Sequence, residues 1–313
     1  MQAAELLLGS AIGLLTSFLW AVSTNIYQSQ SKEATPLAIS SLKMWVAMAS
    51  MVLIVVLPFR TTPFYVPLSS TIYLVASVTV GLVIGDLVYL ISQERIGVSY
   101  AFPIASTYPI LTYIIAILFV GEIFIVSRII GVVVAVAGII IVSKSQAMVQ
   151  GPRDSSTTGE VPESVHMHGS ASDWVGIGLA LLSGLCWAVG SVLLQEGVQA
   201  VDPVDANLVR MVFGSAMYVP VVLAALSRGM PLPTRRATKI VAVAGLLGMT
   251  AGSVLYTYAV KLVGAAVAAL MGSTSPLFAL PISIFVLKEG FSRRSLLGVV
   301  LAVVGVILVV LAV

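Results

Sequence analysis

Three ionisable side chains stand inside apolar runs: Lys43 in KMWVAMASM, Asp86 in GLVIGDLVYLI and Arg210 in LVRMVFGSAM. Charges in such surroundings are expensive and are kept for a partner, a proton or a solute. Lys43 falls about 10 Å into its helix at 1.5 Å per residue. Asp86 lies just ahead of Glu94, at a similar depth, so the two are expected to form an ion pair or a coupling site. Arg210 has no matching acid at the corresponding place. Its planar, permanently charged guanidinium suits a carboxylate or phosphate, which makes it the leading substrate contact. Snorkelling to headgroups or pairing with Glu196 are the structural alternatives.

A second kind of chemistry lies in two similar stretches, Ser106-Thr107-Tyr108-Pro109 and Ser273-Thr274-Ser275-Pro276. A proline within a helix removes one hydrogen bond and frees a carbonyl, which hydroxyls or water then satisfy. Pro109 and Pro276 are therefore expected hinges. Ser106, Thr107, Ser273 and Thr274 are candidate substrate contacts, and Trp20, Trp187, Tyr89 and Tyr256, with Tyr108 and Tyr113, are candidate cavity walls. Glu122 and Glu289 each close one of these segments. A glutamate there opposes its own helix dipole, so pairing with Arg128 or Arg293 is the expected reason for it.

Other chemistries lack their residues. The only histidines, His166 and His168, sit in a polar stretch without a third ligand, so no metal and no cofactor is expected. Cys186 is the only cysteine. No phosphate-binding loop, EF-hand or zinc signature occurs. The basic residues form no stripe with interleaved aromatics, which argues against nucleic acid as a partner.

The elements that position these residues follow from composition. Of 313 residues, 59% are hydrophobic and 9% charged, with a mean hydropathy of +1.08. Soluble domains carry about 25% charged residues, so the lipid bilayer is the solvent this chain is built for. The expected fold class is an all-α polytopic membrane protein of the plasma membrane, monomer or homodimer. Spans of about 20 apolar residues fall at approximately 5–28, 36–59, 68–92, 98–120 and 124–144. A second set falls at approximately 173–195, 203–226, 237–260, 264–287 and 293–312. The expected units are 1–144 and 173–313, separated by a polar, flexible linker at 145–172.

The two sets are copies. An offset of 167 residues, the separation of Trp20 from Trp187, carries Lys43 onto Arg210 and Tyr89 onto Tyr256 without a gap. It also carries Gly81, Gly85 and Gly97 onto Gly248, Gly252 and Gly264, and Pro109 and Glu122 onto Pro276 and Glu289. Gly81-x-x-x-Gly85 and its copy allow close helix approach, as do Gly131/Gly138 and Gly298/Gly305 in the fifth helices. A unit of five spans inserts its second copy from the opposite side, giving an inverted-topology repeat with a site at the interface.

Two tandem five-helix units, each with a proline-bearing fourth helix ending in Glu, resemble the EamA family of the drug/metabolite transporter superfamily. The resemblance implies a ten-helix carrier that exports or exchanges a small-molecule substrate, commonly an amino acid or related compound, by alternating access. The alternatives are a passive channel and a membrane enzyme or flippase-like protein acting on lipid-linked intermediates. Without clustered acids, histidines or metal ligands in the spans, an enzyme has little to work with.

Overall fold

The computed structural model describes residues 3–30, 32–56, 63–149, 173–278, 281 and 293–311, and among these it is helical with no strand. In the first half, α1 (Ala3–Ser29) and α2 (Pro36–Val56) precede α3 (Leu68–Ser77), which passes through a π-helical turn, Val78–Ile84, into α4 (Gly85–Ile96). Then come α5 (Val98–Ala105), α6 (Tyr108–Phe119) and α7 (Val126–Val149). In the second half, α8 (Trp174–Val198) and α9 (Pro203–Ser227) precede α10 (Arg235–Gly245), a second π turn, Leu246–Gly252, and α11 (Ser253–Ser273). The last helix described is α12 (Arg293–Leu311).

Eight described helices are long and apolar enough to cross a membrane, counting Arg235–Phe278 as one run. That run covers the eighth expected span and the ninth as far as Phe278, and the shorter Leu296–Leu311 falls in the tenth. The polarity is inside out: Leu53, Val56, Leu118, Phe119 and Leu223 are exposed, whereas Thr16, Ser17, Ser183, Thr112 and Asn207 are fully buried. Water would penalise that surface, while hydrocarbon rewards it and forces polar groups inward to find partners.

Helix starts are written locally. Asp173 accepts from the backbone N–H groups of Val175 and Gly176, at 3.0 and 3.1 Å, and takes Arg95 Nε–H at 2.8 Å. Asp202 accepts from Val204 N–H at 2.8 Å, and Pro203 occupies the first turn of α9, where a missing N–H costs nothing. Thr234 accepts from Ala237 N–H at 3.1 Å to start α10.

Two breaks recur at the 167-residue offset. Gly97 and Gly264 have φ of 74° and 82°, the left-handed region open to glycine, and each interrupts a helix. The two π turns occupy nearly equivalent places, beside Gly81/Gly85 and Gly248/Gly252. Their closeness to neighbours explains the glycines. A Cβ on Gly81 would stand 3.3 Å from Gly190 Cα, and one on Gly85 only 2.9 Å from the Trp187 ring. Gly248 abuts Ser23 and Gly252 abuts Trp20 in the same manner.

Helices α7 and α12 pack antiparallel. Gly131 faces Gly305 to Val309, while Gly138 faces Gly298 to Ala302. With hydrogen as side chain, the four glycines let the two backbones meet directly.

Candidate functional site

The two tryptophans reach across to the opposite half, Trp20 to the second π turn and Trp187 to Asp86, two residues past the first. Trp20 on α1 donates its indole N–H to Gly248 O at 3.0 Å, and Trp187 on α8 donates to Asp86 Oδ1 at 3.1 Å. Each indole lies against a tyrosine. Trp20–Tyr256 and Trp187–Tyr89 have the same centroid separation, 5.2 Å, and tilts of 40° and 52°. Tyr108 joins them: its ring meets Trp187 edge-on at 5.8 Å, and its hydroxyl donates to Ala269 O at 2.9 Å. At Gly272 a Cβ would touch Trp20 at 3.0 Å, Tyr256 at 3.3 Å and the Tyr108 hydroxyl at 3.5 Å. Five of the six aromatic residues named from the sequence therefore form one band through the molecule, joined at Gly272, whereas Tyr113 donates its hydroxyl to Ile123 O at 3.2 Å.

The charged residues flank this band. Lys43 Nζ lies 3.3 Å from Asp86 Oδ2, with both side chains mostly buried. The Asp86 carboxylate thus has a cation on one oxygen and an indole N–H on the other. Arg210, only 5% exposed, has a different setting. Its Nη1 donates to Thr257 Oγ1 at 3.4 Å, the long end of a hydrogen bond. Its Nε has no partner among the described residues, and neither has the amide nitrogen of Asn207. Tyr256, whose hydroxyl shares a 2.9 Å hydrogen bond with Ser191, is within electrostatic reach of the guanidinium. The alternative pairing of Arg210 with Glu196 is not observed.

Three hydroxyls of the two Ser-Thr-x-Pro stretches turn back onto their own helices. Thr107 donates to Ile104 O at 2.8 Å, Thr274 to Met271 O at 2.6 Å and Ser273 to Leu270 O at 2.8 Å. Thr274 Oγ1 also lies 2.9 Å from Ser17 Oγ on α1. Ser106 is buried and closes the last turn of α5 through its backbone N–H. The fourth expected span is not one kinked helix. It stops at Ser106–Thr107 and restarts, with Pro109 in the first turn of α6, where proline is tolerated because its N–H is not needed. Pro276, buried, stands just past the corresponding turn at Thr274.

Glu122 does something the sequence reading did not anticipate. Past Gly264 the helix restarts, and its free N–H groups are taken by two distant side chains. Gln195 Oε1 accepts from Ala265 N–H, and the Glu122 carboxylate accepts from Ala266 N–H. A carboxylate at a helix N-terminus is favoured by the macrodipole. Burial still raises its pKa above the ordinary carboxylate value, against the opposing pull of Arg128 and that N–H. Glu289, His166 and His168 lie outside the described residues.

Known proteins resemble this chain in sequence and in fold. The model of the EamA-like transporter family matches residues 7–144 and 174–311. The "Uncharacterized transporter YdfC" of Bacillus subtilis (strain 168) is 29% identical over 130 residues, 42% of this chain and 41% of that protein. The match therefore spans less than half of the relative. A solved structure described only as "Crystal structure of protein" superposes with a TM-score of 0.74 at 16% identity, covering 96% of this chain and 95% of the other. At that identity the likeness is one of fold.

Proposed function

Because the chain belongs to the EamA-like transporter family, we propose that this multi-pass integral membrane protein is a secondary carrier. It moves a small metabolite, an amino acid or related compound, across the plasma membrane in export or exchange. It works by alternating access, with ten spans arranged as two inverted five-helix units, 1–144 and 173–313. The recurring breaks at Gly97 and Gly264 and the antiparallel seam between α7 and α12 support that arrangement.

One observation carries the functional reading: the two tryptophan–tyrosine pairs, equivalent at the repeat offset, whose indoles bond across to the opposite half, Trp20 at a π turn and Trp187 just past one. π turns inside α-helices are frequent at functional sites, because they leave backbone groups less tightly paired. Substrate placed against this band would contact both halves, and rocking one against the other would expose it to each side in turn. Pro109 and Pro276, beside the broken fourth helices, are the proposed hinges. Ser106, Thr107, Ser273 and Thr274 hold the backbone of those breaks. They would meet substrate through the acceptor side of their hydroxyls.

The test begins with a thermal-shift screen of the purified protein against amino acids, organic acids, organic cations, nucleosides and nucleotide sugars. Ligand at one hundred times its dissociation constant adds about 2.7 kcal/mol. Uptake of each stabilising compound into proteoliposomes is then expected to saturate, and to fall at least tenfold in Trp20→Ala and Trp187→Ala. Saturable uptake unaffected by both substitutions would remove the aromatic band from the mechanism.

A further inference from the structure

The two halves differ at one place where the repeat would have them agree. In the first half Lys43 has its counter-ion, Asp86, at 3.3 Å, and the second oxygen of that carboxylate takes the Trp187 indole N–H at 3.1 Å. At the repeat offset Lys43 becomes Arg210, Trp187 becomes Trp20, and Asp86 becomes Ser253. The second half thus keeps the cation and the indole and replaces the acid with a hydroxyl.

The neighbours do not repair the loss. Arg210 forms no ion pair among the described residues. It has one long hydrogen bond, to Thr257, and an unpartnered Nε. Thr257 spends its own proton on Ser253 O at 2.8 Å. Ser253 Oγ donates to Asn207 Oδ1 at 2.8 Å, fixing the amide with its nitrogen unpartnered. Arg210 is 5% exposed, Ser253 4%, and Asn207 and Thr257 fully buried. Buried donors are normally paired, and a buried cation without an anion is one of the costliest arrangements a protein can hold. Two such donors, Nε–H and an amide N–H, lie within one turn of α9 (positions 207 and 210), which places them on one face.

We infer that Arg210 and Asn207 bind the carboxylate of the transported solute, which supplies the negative charge that Asp86 supplies in the first half. The solute's apolar body then lies against the Trp20–Tyr256 pair, whose rings sit 5.2 Å apart. One buried cation neutralises a single negative charge, so a monocarboxylate fits better than a doubly charged phosphate. The inference names the substrate class for the carrier proposed above and rests on that reading only for the solute's route to the site.

The test uses four probes that share a ring and differ in the head group: phenylacetate, phenylacetamide, phenethylamine and phenyl phosphate. Apparent affinity is read from the concentration dependence of the thermal midpoint of the full-length protein in detergent, to about 10 mM. Phenylacetate is expected to bind at least tenfold more tightly than the amide, the amine or the phosphate. Ser253→Asp installs the missing acid. It is expected to raise the midpoint without ligand and to weaken phenylacetate at least tenfold, whereas the uncharged isostere Ser253→Asn does neither. Equal binding of acid and amide, stronger binding of the amine or the phosphate, no binding of phenylacetate, or a Ser253→Asp protein with unchanged affinity would each overturn the inference. The wild-type series decides even if Ser253→Asp fails to fold. Exchange in proteoliposomes separates this site from the carrier reading. A protein that binds phenylacetate but exchanges no solute keeps the anion site and loses transport. One that exchanges only cations keeps transport and loses the anion site.

Discussion

Substituting Gly138 by alanine tests the seam between α7 and α12. The added Cβ would stand 2.3 Å from Ala302 N and 2.5 Å from Gly298 O. Both atoms are helix backbone, so no side chain can rotate away. Relief requires the helices to separate by roughly 1 Å, which forfeits a quarter to a half of the dispersion energy of each contact along the line. Overpacking of this kind costs about 1–3 kcal/mol, here toward the upper end. Alanine returns about 1 kcal/mol of helix propensity, leaving a net loss of about 2 kcal/mol. Gly305, the repeat mate, would place its Cβ 2.3 Å from Ala135 N and 2.5 Å from Gly131 O. Equal geometry demands an equal cost. Gly178 on α8 has nothing within 4 Å of its Cβ, so Gly178→Ala should gain stability. Thermal midpoints in one detergent should fall by about 3 °C for Gly138→Ala and Gly305→Ala, and rise or hold for Gly178→Ala. If the first two match the third, or differ from each other by more than about 1 kcal/mol, the close-packed, repeat-related seam is wrong.

Three further outcomes can be checked in the same way. Asp86→Asn leaves Lys43 without its counter-ion. Breaking a fully buried pair costs about 3–5 kcal/mol, and the 18% and 16% exposure of these side chains reduces that to about 2 kcal/mol. Lys43→Met in the same background should recover part of the loss in a double-mutant cycle. Gly264→Ala should cost more than Gly97→Ala: both force alanine to positive φ at about 1–2 kcal/mol, but only at Gly264 does the new Cβ also meet Glu122 Oε1, at 2.6 Å. Asp173, capping α8, has its pKa lowered by the Gly176 N–H first and by Arg95 next. A depressed carboxylate contributes stability above its unfolded value, about pH 4, and loses it as pH falls through the folded value. The advantage of wild type over Asp173→Asn should therefore be present at pH 7 and shrink at pH 3.

Much of this arrangement is written in residue spacing. Trp20 and Trp187, and Tyr89 and Tyr256, are rare enough in apolar sequence that one offset exposes them, and the structure packs both pairs at the same 5.2 Å separation. The π turns are not legible in that way. They arise where Gly81 meets Gly190 and Gly248 meets Ser23, and sequence spacing does not say which helix a glycine will face. The division of the fourth span is hidden for a related reason: proline marks a disturbance, but not whether the helix bends or restarts, and here the turn before it is closed by Thr107 onto Ile104 O. Glu122 was read against its own helix, because the helix it caps lies in the other half. Arg210 was legible as a cation without an acid, whereas Asn207 and Thr257 were not, since neutral polar residues in a span carry no signal until their partners are known.

Counterflow in proteoliposomes bears most directly on the carrier assignment. Vesicles loaded with a high concentration of an unlabelled compound from the thermal-shift screen are diluted into trace labelled compound, without ATP or an imposed ion gradient. Alternating access predicts that label accumulates transiently above equilibrium and that initial uptake saturates with external concentration. Label that merely equilibrates, at a rate linear in concentration, would identify a passive pore and contradict the account.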